Sequence, residues 1–141
     1  MRRGFTLLEV IISLSILAFL AYMVSTSFLN LAPKYRLQKA VWEINSRLNF
    51  VRYKALFRGV KARMKFTSSG YAIEIYDEKE KKWKLEEKHF LEGVRLKSNN
   101  NPCFHPRGTV SGMASISIFN SWGKYKVTLA ISGRVKITKL I

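Results

Sequence analysis

The chain has 141 residues, about one domain's worth, with 25 Lys and Arg against 9 Asp and Glu, a formal net charge of +16 and a pI near 10.3. Cys103 is the single cysteine, which excludes a disulfide within the chain, and the two histidines leave a poor inventory for metal or acid–base chemistry. Apolar residues make up 48% of the chain, which conflicts with such a charge unless they are segregated. They are segregated: between Gly4 and Pro33 the only charged side chain is Glu9. Setting aside Arg2, Arg3 and Glu9 leaves 23 basic and 8 acidic side chains from Lys34 onward, a net +15. Such a field favours DNA, RNA, anionic lipid headgroups or an acidic protein face, and its plainer use is solubility or the balancing of acidic neighbours.

Residues 5–31 are apolar apart from small hydroxyl residues, an asparagine and Glu9. About 20 such residues in a helix cross the hydrocarbon core of a bilayer. A cleaved secretory signal, a twin-arginine signal and a permanent anchor all share this outline. Arg2-Arg3-Gly4-Phe5 has the look of a twin-arginine signal, but the apolar stretch is longer than a signal core. No Ala-x-Ala site follows it, only Ser25-Thr26-Ser27. Glu9 decides for the anchor. A carboxylate in a membrane helix costs roughly 2.5–3.5 kcal/mol on insertion scales, so it is kept for a partner unless it lies shallow enough to reach the headgroups.

Gly4-Phe5-Thr6-Leu7-Leu8-Glu9-Val10 resembles the class III signal of type IV prepilins and pseudopilins. The resemblance implies that prepilin peptidase cuts between Gly4 and Phe5 and that Phe5 is then N-methylated. Glu9 becomes the fifth residue of the mature chain, and its carboxylate pairs with the N-terminal amine of a neighbouring subunit as a filament grows. An acid and an amine are each costly alone in an apolar filament core and tolerable together. The implied location is the bacterial inner membrane, crossed once with the N-terminus cytoplasmic. The head is then periplasmic, or extracellular when assembled in a filament. Arg2 and Arg3 agree with that orientation under the positive-inside rule, whereas Lys34, Arg36 and Lys39 just beyond the span oppose it.

Over residues 35–58 the apolar positions Leu37, Val41, Ile44, Leu48, Val51 and Ala55 recur in steps of four and three, one face of a helix. Arg36, Lys39, Arg47, Arg52, Lys54 and Arg58 are expected on the opposite surface, with Glu43 as the only acid. The apolar face is expected to pack under a sheet, and the basic face to be solvated or to meet other subunits; lying on a membrane is the other use of such a helix. If Pro33 kinks the helix without ending it, residues 5–58 form a rod of roughly 80 Å at 1.5 Å per residue. Gly59 is a helix stop.

After Gly59 the period falls to two. Tyr71, Ile73 and Ile75 alternate with Ala72, Glu74 and Tyr76, and Val94 and Leu96 with Arg95 and Lys97, as in half-buried strands. Residues 77–82 read as a charged hairpin loop and Asn99-Asn100-Asn101-Pro102 as a turn. Three more strands carry Ile116 and Ile118, then Tyr125, Val127, Leu129 and Ile131, then Val135 and Ile137. Keeping the apolar members on one face sets Ile118 opposite Tyr125 and Leu129 opposite Ile137 about a turn centred on Gly133, with Lys126, Arg134 and Lys136 together on the polar face. The predicted fold is α+β, a long N-terminal helix packed against a C-terminal antiparallel sheet. Its divisions are a leader at 1–4, a membrane or filament-core helix at 5–31, an amphipathic helix at 32–58 and a head at 59–141.

Phe104-His105-Pro106-Arg107-Gly108, the strand near residues 116–120 and the closing Ser132-Gly133-Arg134-Val135-Lys136-Ile137 resemble the GspH/FimT group of minor pilins and type II secretion pseudopilins. This implies a structural subunit that helps initiate or cap a type IV pilus or a secretion pseudopilus, with other pilins or pseudopilins, prepilin peptidase and the inner membrane as partners. FimT-like members linked to natural transformation bind DNA through a C-terminal Gly-Arg-x-Arg pattern. Gly133-Arg134-Val135-Lys136 matches with Lys for the second Arg, which keeps the charge and loses the bidentate fork. Double-stranded DNA is therefore the alternative ligand, with Arg134, Lys136, Lys126 and Lys124 as its contacts. An enzyme is not expected. Cys103-Phe104-His105 is neither a zinc pattern nor a nucleophile with its base, and Gly108-Thr109-Val110-Ser111-Gly112 has its serine one place late for a nucleophile elbow. Neither a cofactor nor a metal site is read.

Overall fold

The computed structural model describes residues 5–140, apart from the side chains of 26–30. The leader, including Gly4, lies outside the described residues. Helix α1 covers Leu7–Arg58. It begins where Thr6 caps it: the Thr6 Oγ1 accepts the Glu9 N–H at 3.3 Å and the Thr6 carbonyl accepts the Val10 N–H at 3.2 Å. It ends at Gly59, whose φ of +65° is the left-handed conformation that stops a helix. Pro33 lies inside the helix and has no N–H to offer the preceding turn.

The chain divides into two units between Ala32 and Pro33. In the first, Leu7–Ser25 has a mean hydropathy of 2.4 and no buried residue, so by length and composition it can cross a membrane. Two of its hydroxyls are folded back onto the helix: Ser13 Oγ donates to the Glu9 carbonyl at 2.7 Å and Ser15 Oγ to the Ile11 carbonyl at 2.8 Å.

The second unit packs the rest of α1 against two antiparallel sheets, where the alternation in the sequence predicts one. The strands are β1 (Ala62–Thr67), β2 (Gly70–Asp77), β3 (Lys82–Phe90), β4 (Arg95–Ser98), β5 (Cys103–Phe104), β6 (Val110–Ser111), β7 (Ala114–Phe119), β8 (Lys124–Leu129) and β9 (Val135–Leu140). The first sheet runs β3-β2-β1-β5-β6 and the second β4-β7-β8-β9. Leu37, Val41, Ile44, Leu48, Val51 and Ala55 are all buried, as expected. They meet Met64, Tyr71, Ile73 and Phe104 of the first sheet and Leu96, Ile116, Ile118, Val127 and Leu129 of the second in a single core. Tyr71, 1% exposed, donates its hydroxyl to the Glu43 carboxylate at 2.9 Å, and burial followed by that carboxylate pushes its phenol well above the ordinary range.

Ile118 pairs with Tyr125, as the apolar alternation predicts. The next hairpin differs: Leu129 pairs with Val135 and Val127 with Ile137. The two-residue offset preserves which side chains face the core, so alternation alone does not detect it. The turn closes earlier because the Ala130 N–H donates to the Arg134 carbonyl at 3.0 Å and the Gly133 N–H to the Ala130 carbonyl at 2.9 Å. Gly133 has φ +79°, and a Cβ there would lie 2.7 Å from Cζ of Arg52. The positive φ calls for glycine at this position, and the Arg52 guanidinium lies against it.

The basic residues of α1 are not all opposite its apolar face. Arg47 pairs with Glu87, and Lys54 and Arg58 with Glu86, so these cations border the first sheet. The β2–β3 ladder shifts register between Ile73 and Glu74, passing from Ile73↔Glu87 to Glu74↔Leu85. Glu86 is the extra residue, and this bulge lets two consecutive carboxylates meet the helix. The surface turned away from the core instead carries Tyr35, Trp42, Tyr53 and Phe57, at least 60% exposed each. Arg36 and Lys39 are exposed, and Arg36 lies beside Gly93 of the head, not opposite the apolar face.

Candidate functional site

Two regions carry the residues singled out by sequence. At the N-terminus Phe5 is 82% exposed, and Glu9 stands three residues past the Thr6 cap, in the first turn of α1. The Thr6 and Glu9 spacing is that of a capping box, yet only the threonine half forms. Among the described residues no donor or cation meets the Glu9 carboxylate. An acid in an otherwise exposed apolar helix is thus available to a group on another molecule.

The second region is the outward face of the β4-β7-β8-β9 sheet. No Asp or Glu occurs after Glu92, so residues 93–140 supply this whole sheet with no acidic side chain. Leu96, Ile116, Ile118, Val127 and Leu129 point inward, and alternation sends Arg95, Lys97, Lys124, Lys126 and Lys136 to the other face. The register sets Lys97 beside Ser117, Ser117 beside Lys126, and Thr128 between Ser115 and Lys136. Lys124, Lys126 and Lys136, three of the four residues expected as DNA contacts, therefore share one face. Arg134 is exposed in the turn leading into β9. All ion pairs among the described residues lie on α1 and the first sheet, and those of Glu74 with Arg63 and Lys65 typify them. Burial alone would raise the Glu74 carboxyl, but Lys65 and Arg63 hold it below the ordinary carboxylate range. Among the described residues no carboxylate pairs with the cations of the second sheet.

The two histidines and the cysteine lie on the first sheet and its loops. His89 stacks on Tyr71 at 5.2 Å and meets Glu87 at 3.0 Å. His105 Nε2 meets Ser111 Oγ at 2.9 Å, a pairing that sequence reasoning misses because it depends on the two-residue strands β5 and β6. Cys103 is half-buried and burial pushes its thiol up, away from the reactive thiolate.

Residues 1–24 match the family model for the prokaryotic N-terminal methylation motif. No curated protein matches the chain significantly. Among solved structures, the minor pseudopilin EpsH from the type 2 secretion system of Vibrio cholerae aligns with a TM-score of 0.64 at 15% identity, over 74% of this chain and 97% of that one. The type IV minor pilin FimU of Pseudomonas aeruginosa aligns with a TM-score of 0.60 at 16% identity, over 74% of this chain and 90% of that one. At these identities the likeness is one of fold. The chain joins a prokaryotic N-terminal methylation motif to a pilin-like fold.

Proposed function

We propose that this pilin-like chain is a minor subunit that helps initiate or cap a type IV pilus or a type II secretion pseudopilus, serving as a structural part and not an enzyme. Prepilin peptidase cuts between Gly4 and Phe5, and the chain waits in the inner membrane with its N-terminus cytoplasmic and its head periplasmic. The observation that carries this reading is Glu9: a carboxylate without a partner among the described residues, near the start of an exposed apolar helix and inside the matched motif. Retaining it in lipid has a cost that a neighbouring subunit's amine offsets. The test is to delete the chain from its host and count filaments. Filament number is expected to fall at least about tenfold and to recover on complementation, since loss of an initiating contact of about 1.4 kcal/mol already gives a tenfold change. Unchanged filament numbers and length would count against the reading.

A second reading is supported by the acid-free sheet: capture of double-stranded DNA on Arg134, Lys136, Lys126 and Lys124. Backbone contacts of this type depend steeply on salt. Duplex binding by the chain from Lys34 onward, titrated across salt, is expected to lose about two units of log–log slope in Arg134→Ala/Lys136→Ala. Binding that ignores the substitutions would assign the charge to another use.

A further inference from the structure

The end of the head where the chain enters it has its own chemistry. Pro33 lies two residues past Leu31, where the apolar stretch ends. The 120–123 turn between β7 and β8 is tied to that point: Asn120 Nδ2 donates to the Pro33 carbonyl at 2.7 Å and to the Gly93 carbonyl at 3.4 Å. The same turn holds Trp122, 36% exposed, with Lys139 Nζ 4.8 Å and Lys34 Nζ 5.6 Å from its ring centre. The 91–95 connection is joined to the β1–β2 turn, since the Leu91 N–H donates to the Ser69 carbonyl at 2.8 Å.

Between these loops lies an open groove of about 830 Å³, lined by Ser68, Ser69, Arg95, Asn120 and Ser121 over Phe119. It adjoins a hollow of about 410 Å³ that shares Phe119 and Asn120 and adds Lys97, Ser117 and Lys124. Glu43 and Glu92 line a neighbouring hollow with Arg36 and Lys39, which meets the groove at Leu91. The groove side therefore has hydroxyls, an amide and cations, and no acid among its lining residues.

We propose that this end of the head docks on anionic phospholipid headgroups of the leaflet from which the chain emerges, with Trp122 at the interface and Lys34, Arg95, Lys124 and Lys139 on the phosphates. Trp and Tyr are favoured at headgroup depth, and each Lys or Arg near an anionic surface adds attraction that salt screens. The surface committed to is lipid because the turn carrying Asn120 and Trp122 meets Pro33 and Lys34, just beyond the apolar stretch. Polar hydroxyls beside Arg95 suit a phosphoglycerol headgroup, and the tryptophan suits its boundary with the acyl chains. This gives a use to Lys34, one of the three cations beyond the span that oppose the expected orientation by charge count. It holds the head against the membrane before assembly, and it rests on the anchored reading above.

The test uses the full chain carrying Trp42→Phe and Trp83→Phe, so that Trp122 alone reports, placed in nanodiscs containing headgroup spin-labelled lipid. One set is phosphatidylcholine and the other a mixture of about three parts phosphatidylcholine to one of phosphatidylglycerol. Quenching of Trp122 is expected to be at least about twofold greater in the anionic discs, and to lose that excess at high salt and in Arg95→Gln/Lys124→Gln/Lys139→Gln. Equal quenching in the two discs, or an excess that survives the triple substitution, overturns the proposal. A Trp122 that responds to added duplex DNA and not to phosphatidylglycerol overturns it in favour of nucleic acid. Co-purification with the discs is scored separately: a chain that does not enter them overturns the anchored reading and this one together, whereas a chain that enters with an indifferent Trp122 overturns only this one.

Discussion

The Glu9→Gln chain is expected to reach the membrane as well as the parent chain and to be lost from filaments by roughly 100-fold or more. Glutamine keeps the shape of the side chain and removes its charge. Insertion should not suffer, because a neutral amide replaces a carboxylate and is no harder to place in lipid. Assembly should suffer because a neighbouring amine, buried in the filament core, is left without its counter-ion. Removing one partner of a buried pair costs about 3–5 kcal/mol, which corresponds to a loss of roughly two to three and a half orders of magnitude in occupancy. Thr6 already caps α1 through its own oxygen, so the helix start does not depend on the Glu9 carboxylate. Comparing the amount in the membrane fraction with the amount in sheared filaments separates the two effects. Equal loss from both fractions would mean that Glu9 serves folding or insertion.

The Ile44→Ala substitution is expected to destabilise the head by about 2–5 kcal/mol. Ile44 is fully buried, in the middle of the α1 stripe that meets both sheets. Truncation leaves a cavity bounded by a helix and two sheets, which cannot close in on it together. Against a total stability of about 5–15 kcal/mol this is a large fraction. Urea unfolding of the fragment beginning at Lys34 reads it directly, because every buried apolar residue of the core falls between Leu37 and Leu129. Trp42→Ala is the control: Trp42 is 67% exposed on the other side of the same helix, and its truncation should stay within about 0.5 kcal/mol. Equal losses in the two variants would show that the helix is not packed by its Leu37–Ala55 face.

The buried stripe of α1 is legible because a period of 3.6 leaves no choice of face once Leu37, Ile44, Leu48 and Val51 are marked. The outward aromatic surface is not. Tyr35, Trp42, Tyr53 and Phe57 are obscured in the sequence by the basic residues between them, and several of those basic residues are drawn aside by Glu86 and Glu87. The β7–β8 register is legible from its apolar pairs. The β8–β9 register is not, since a slip of two residues keeps every side chain on its own face and only the Gly133 turn and Arg52 select between them. The division into two sheets depends on pairings distant in sequence, such as β1 with the two-residue strand β5, which leave no local pattern. At the site, the motif around Glu9 is readable because it is contiguous, while the amine proposed to meet it lies on another molecule and leaves no trace in this sequence. The absence of acids after Glu92 is plain in the sequence, but the face on which Lys97, Lys124, Lys126 and Lys136 gather becomes visible only with the register.

The central claim, that this chain is processed and assembled as a pilin-type subunit, is tested most directly at its mature N-terminus. Mass spectrometry of the chain recovered from membranes of a host with prepilin peptidase should find it beginning at Phe5, with that residue N-methylated, and should find the intact chain beginning at Met1 when the peptidase is deleted. A chain that keeps its first four residues in the presence of the peptidase, or one cut near Ser25-Thr26-Ser27 in both hosts, would contradict the account.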